Sequence, residues 1–170
     1  MSLLKPTILL KSVTDISVKL LNSLSVDLLL VDVDNTLAHA SSPEPFLGVK
    51  EWLLEMKNSN FKIVVVSNNF EKRVSKFAKM LDLPFVSLAV KPMPFGFNRA
   101  IQMFNVDKAK SVVIGDQIFN DVLGANLIGA KSILLEPTQN DETTAMRIRR
   151  KIEKPIRNSI KKGNKEFWGN

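Results

Sequence analysis

Residues 28–36 read Leu28-Leu29-Leu30-Val31-Asp32-Val33-Asp34-Asn35-Thr36, an unbroken apolar run that stops on two aspartates. A strand that is apolar on both faces belongs in a parallel sheet covered by helices on each side. The acids at its carboxyl end stand where open α/β sheets bind ligands.

Working outward, apolar runs of strand length recur at 61–66, 84–89, 111–115 and 131–135, with the first strand spanning 27–33. Between them the period becomes helical. Val49, Trp52, Leu53 and Met56 form one stripe, and Phe70, Val74, Phe77, Ala78 and Leu81 a second; both read as core. Phe97, Ala100, Ile101 and Phe104 form a third, and Ile118, Val122 and Leu123 a fourth that stops at Gly129, a residue suited to a helix end. Residues 7–23 read as one or two short helices packing leucine and isoleucine on the sheet. The alternation predicts an α/β fold, a Rossmann-like three-layer sandwich with a five-stranded parallel sheet.

Composition narrows the chemistry. With 170 residues, 45% hydrophobic and 24% charged, the chain suits one globular domain. It has no cysteine and a single histidine, His39. Thiol nucleophiles, thiolate metal sites and two-histidine zinc sites are therefore excluded, and a reducing cytoplasm suits the chain. His39 itself reads as a solvent-facing loop residue.

Polar residues follow every strand. Asp32 and Asp34 follow the first, Ser67-Asn68-Asn69 the second, Lys91-Pro92 the third, and Gly115-Asp116 with Asp121 the fourth. Side chains alternate along a strand, so Asp32 and Asp34 are expected on the same side, converging on one spot. With Asp116 and Asp121 added, that spot requires a hard divalent cation bound through oxygen, Mg²⁺ being the natural choice. Ser67, at the start of a helix, and Lys91 suit phosphate oxygens, and Asn68 with Glu71 reads as a cap for that helix. Carboxylate nucleophile, metal, lysine and hydroxyl are the parts needed for phosphoryl transfer.

These four motifs, DVDNT at 32–36, Ser67, Lys91 and GDQIFND at 115–121, resemble those of the haloacid-dehalogenase-like hydrolases. The match from about residue 3 to 150, including SNNFEKRV at 67–74 and Lys91-Pro92, is similar to the YqeG-like subgroup of type IIIA phosphatases. The resemblance implies a strand order of 5-4-1-2-3 and a phosphomonoester hydrolase working through an aspartyl-phosphate. Asp32 would be the nucleophile and Asp34 the general acid/base. Ser67, Asn68 and Lys91 would bind the phosphoryl group. Asp32, Asp116 and Asp121 would hold the metal with the backbone carbonyl of Asp34.

Only 30 residues separate Thr36 from Ser67 and 23 separate Ser67 from Lys91, so no cap domain fits. An open cleft admits a large or surface-bound phosphomonoester, and the resemblance adds phosphatidylglycerophosphate as a substrate of relatives. A small soluble phosphate is the other reading. The chain divides into a phosphatase domain at 1–146 and a basic tail at 147–170, which holds nine basic and two acidic residues and hence the whole net charge of +7. Ile148, Ile152, Ile156 and Ile160 make the tail an amphipathic helix broken or kinked near Pro155, lying outside the four motifs and ending in Phe167-Trp168. It fits peripheral attachment at the anionic inner face of a membrane, and equally a solvated C-terminal helix packed on the core by its isoleucines. A nonenzymatic RNA- or ribosome-binding role for it is weaker, since the body has no basic stripe. A response-regulator receiver is disfavoured because there the lysine follows the fifth strand.

Overall fold

The computed structural model describes residues 3–40, 42–138 and 144–163. Its strands are β1 (Ile8–Leu10), β2 (Leu28–Val31), β3 (Lys62–Val66), β4 (Phe85–Val86), β5 (Ser111–Gly115) and β6 (Lys131–Leu135). They form one sheet in the order β1-β6-β5-β2-β3-β4, with every pair parallel. Alternation along β2 builds both cores: Leu29 and Val31 pack on one face, Leu28 and Leu30 on the other. Helices α1 (Val18–Ser23), α2 (Val49–Asn58) and α3 (Glu71–Met80) bring Leu21, Trp52 and Phe77 to the first face. Helices α4 (Pro94–Gln102) and α5 (Leu123–Ile128) bring Phe97 and Ile128 to the second. Gly129, at φ +77°, ends α5 as expected.

The sheet has six strands, not five. The added strand is β1, which lies within the stretch read as helical and extends the sheet beyond β6, with Ile8 opposite Ile133. A three-residue strand shows no period of its own, so only its pairing with β6 reveals it. The rest of the stretch contains a 3₁₀ turn at Val13–Asp15 and α1. The strands read from the sequence keep the relative order β6-β5-β2-β3-β4 inside the larger sheet.

Two further expectations change. Phe70 is 75% exposed rather than core, because it stands just before α3 with an extended backbone and escapes the helical stripe that buries Val74, Phe77 and Ala78. The basic helix α6 (Thr144–Gly163) runs without interruption through Pro155. Pro155 and Lys151, whose carbonyl loses its helical donor, both lie on the exposed side, where water can serve instead. Ile148 and Ile152 are more than half exposed, and the buried residues of α6 are Glu153, Arg157 and Ile160. A four-residue repeat advances about 40° per step on a helix of 3.6 residues per turn, so the isoleucines wind from the exposed side at Ile148 and Ile152 to the buried side at Ile160. Phe167 and Trp168 lie outside the described residues.

Only α2 and β3 lie between Thr36 and Ser67, and only α3 and β4 between Ser67 and Lys91. Among the described residues no cap covers the carboxyl edge of the sheet.

Candidate active site

Four charged side chains meet beyond β2 and β5. Asp32 continues β2, its amide bonded to the Ile114 carbonyl at 2.9 Å. Asp116 follows β5, and Asp121 comes from a π-helical turn at Ile118–Val122. Asp32, Asp116 and Asp121 each offer a carboxylate oxygen within 4.8 Å of the others, and all three are buried. Lys91 bridges two of them, 3.0 Å from Asp32 and 2.7 Å from Asp121. Gly115 makes room: a methyl there would overlap the Asp121 carboxylate. Asp121 is held in turn by the Gln117 amide, which donates to Oδ2 at 3.1 Å.

The charges are poorly compensated. Burial pushes the Asp32 carboxyl up to about 7, with Lys91 opposing and Asp121 and Asp116 adding to the shift. Burial also raises Asp116 to about 6, against the lowering effect of Arg150. Burial works against the Lys91 charge, but Asp121 and Asp32 outweigh it and raise its pKa. Asp116 Oδ1 is buried and lacks a hydrogen-bond partner. A buried acceptor left over in a three-carboxylate cluster fits a hard divalent cation bound through oxygen.

Asp34 does not converge with Asp32. Its carboxylate turns to α3, 2.5 Å from Arg73 Nη2 on one oxygen and hydrogen-bonded to Asn69 on the other. The strand ends at Val31, and the backbone reaches the left-handed region at Asn35 (φ +58°), so strand alternation no longer governs residue 34. Both aspartates still line one cleft, about 360 Å³, with Ser67, Asn68 and Lys91. Ser67 is buried, its hydroxyl accepting from the Asn69 amide at 3.1 Å. Asn68 does not cap α3, which starts at Glu71, because it sits too early in the chain. Its amide clasps the backbone of Lys91 instead, accepting from N at 2.6 Å and donating to O at 3.1 Å. His39 is exposed, edge-on to Phe46 at 4.6 Å.

The basic helix α6 reaches the site directly. Arg150 bonds the Asp116 carboxylate and, at 2.7 Å, its carbonyl; Arg157 bonds the same carbonyl and that of Leu135 at 3.0 Å. Glu153, fully buried, accepts from the amides of Ile118 at 2.8 Å and Phe119 at 3.4 Å and faces both arginines. Arg149 bonds Gln117 and lines the cleft. These residues and Arg73 were not singled out from sequence. The available signal was the spacing of Arg150, Glu153 and Arg157, which a helix places on one side.

A parallel α/β sheet with three acids and a lysine gathered at its carboxyl edge defines a class. The chain belongs to the haloacid dehalogenase-like hydrolases, whose family model matches residues 18–129, a span holding all four motifs. Within that class it is a YqeG-like phosphatase: it is 36% identical over 163 residues to probable phosphatase YqeG of Bacillus subtilis strain 168, covering 96% of this chain and 95% of that one. Solved structures share the fold. An uncharacterized protein from Listeria monocytogenes serotype 4b superposes with TM-score 0.57 at 19% identity, covering 69% of this chain and 84% of that one. The cobalt-bound deoxy-D-mannose-octulosonate 8-phosphate phosphatase of Haemophilus influenzae gives 0.52 at 11% identity, covering 77% and 89%.

Proposed function

We propose that this phosphatase is a Mg²⁺-dependent phosphomonoesterase acting through an aspartyl-phosphate on Asp32. The observation that carries the reading is the buried cluster of Asp32, Asp116 and Asp121 bridged by Lys91. Asp32, Asp116 and Asp121, with the Asp34 carbonyl, would hold the metal. Bound there, Mg²⁺ would neutralise charge on the transferring phosphoryl oxygens.

Asp32 attacks phosphorus, and the bond to the alcohol oxygen breaks as Asp34 supplies a proton. Asp34 then takes a proton from the water that hydrolyses the phosphoenzyme. Ser67 and Lys91 bind the phosphoryl oxygens with Asn68 beside them. Asn68 also fixes the Lys91 backbone.

For the substrate, the open cleft and the outer face of α6 support a large or membrane-surface phosphate such as phosphatidylglycerophosphate. Arg147, Lys151, Lys154 and Lys162 are exposed along α6 together with Ile148 and Ile152, a pattern suited to peripheral attachment at an anionic cytoplasmic membrane face. No helix among the described residues is long and apolar enough to cross a membrane.

The test is phosphate release, with and without Mg²⁺, from a lipid phosphate in micelles, sugar phosphates and nucleotides. Removing Mg²⁺ should abolish activity, and Asp32→Asn should lower it by several powers of ten. More than a tenth of wild-type turnover in Asp32→Asn would overturn the mechanism. Preference for the sugar phosphates would favour a small soluble substrate.

A further inference from the structure

Arg73 stands between the catalytic cleft and a second groove. In the proposed mechanism Asp34 touches the oxygen of the leaving alcohol, so the rest of that alcohol departs past Asp34 and meets whatever lies beyond it. Arg73 lies there, with Nη2 2.5 Å from Asp34 Oδ1 and Nη1 3.5 Å from the Ser42 carbonyl. Its side chain is about a quarter exposed, 26%. Two of its five N–H donors are engaged in this way, and the others have no protein partner among the described residues. Arg73 also lines an adjoining groove of about 800 Å³ with Phe70, Lys72, Lys76, Phe77, Met80 and Glu44. Arg73 is paired with Asp34, and Lys72 and Lys76 stand against Glu44 alone, so the groove beside the leaving-group position is positive. Phe70, 75% exposed at its lip, gives it an apolar wall.

We infer that Arg73 is a specificity-determining residue that binds a second anionic group, carboxylate or phosphodiester, on the leaving alcohol. The inference rests on Asp34 being the acid that faces that alcohol. A guanidinium suits the task because it can present a flat pair of donors to an oxyanion while its other edge stays on Asp34. Lys72 and Lys76 add charge without fixed geometry. With a neutral alcohol, these donors gain nothing beyond what water supplies.

The experiment compares three esters of similar size around the phosphate: glycerol 3-phosphate, 3-phosphoglycerate and glycerophosphoglycerol phosphate. The first is neutral beyond the phosphoryl group, the second carries a carboxylate, and the third a phosphodiester. The wild-type enzyme should show at least about a tenfold higher kcat/KM for one or both anionic esters, and the favoured one identifies the source of the charge. Arg73→Gln should slow every ester and bring the ratio to within about twofold of unity. Arg73→Lys should retain part of the preference, whereas Asp34→Asn should slow all three and leave the ratio in place.

Calorimetric binding of the same esters to Asp32→Asn, with and without Arg73→Gln, reads the same ratio without turnover. If Arg73→Gln does not fold, inhibition of the wild-type enzyme by glycerate but not by glycerol supports the inference, and equal inhibition overturns it. Equal kcat/KM for all three esters in the wild type, or a preference that survives Arg73→Gln, also overturns it. Absence of phosphate release from every ester would instead strike the phosphatase mechanism, and the binding ratio would then decide the role of Arg73 by itself.

Discussion

Asp32 sits where its own charge is disfavoured, and the consequence can be measured without a substrate. Its carboxyl rises from 3.8 to about 7 because burial outweighs the attraction of Lys91. Between those values the folded protein holds a proton that the unfolded chain releases. The associated stability is therefore complete below about pH 4 and is lost as pH rises through about 7. Metal-free protein in chelator should melt lower at pH 8 than at pH 5, and Asp32→Asn should flatten that slope. At pH 8 the variant should melt at least about 2–4 °C above wild type, corresponding to about 1 kcal/mol in a chain of this size. Parallel slopes in the two proteins would show that Asp32 is not strained. Gly115 makes a second residue-scale case: Gly115→Ala would drive a methyl into Asp121, so Mg²⁺ binding measured by calorimetry should weaken about tenfold or more, while unchanged affinity would remove Asp121 from the metal site.

At the scale of elements, α6 is the surprise. Its basic residues stand outside the four motifs, yet Arg150 and Arg157 hold Asp116, and Glu153 is wedged between them and the turn that carries Asp121. Removing one partner of a buried charged group costs about 3–5 kcal/mol, because it strands the others. Glu153→Ala should therefore lower the melting temperature by about 6–20 °C and depress phosphatase activity together with it. A shift under 2 °C would mean α6 is only laid against the sheet. The same geometry means that truncating the tail would damage the acid cluster, so charge on α6 has to be tested at outward positions.

For the whole molecule, the proposed attachment to an anionic surface rests on those outward positions. Arg147, Lys151, Lys154 and Lys162 are exposed and make none of the contacts with Asp116. Replacing all four with glutamine should leave turnover on a soluble phosphate ester near wild type. Sedimentation with anionic vesicles at 0.1 M salt should fall roughly a hundredfold or more, given the attraction each basic residue feels near such a surface. Unchanged sedimentation, or none by the wild type, would leave α6 as a structural helix with a solvated face.

The sequence by itself determined the α/β class, five of the six strands and the residues at their carboxyl ends, because apolar runs, helical stripes and turn residues are local signals; the order of those five strands came with the resemblance to the haloacid-dehalogenase-like hydrolases. Asp32, Ser67, Lys91, Asp116 and Asp121 were legible for that reason: strand ends in a parallel sheet all open on one edge. The tertiary structure decided what depends on distant partners. Ile8–Leu10 is a strand only because β6 offers it an edge. Asp34 left its expected position for Arg73, 39 residues away along the chain. Ile148 and Ile152 of α6 face outward while Glu153 and Arg157 turn in, since a buried charge is tolerated wherever backbone amides, carbonyls and opposite charges already wait for it. Hydrophobic periodicity is written in the order of residues, but the compensation of buried charge is a sum over neighbours that only the folded chain brings together.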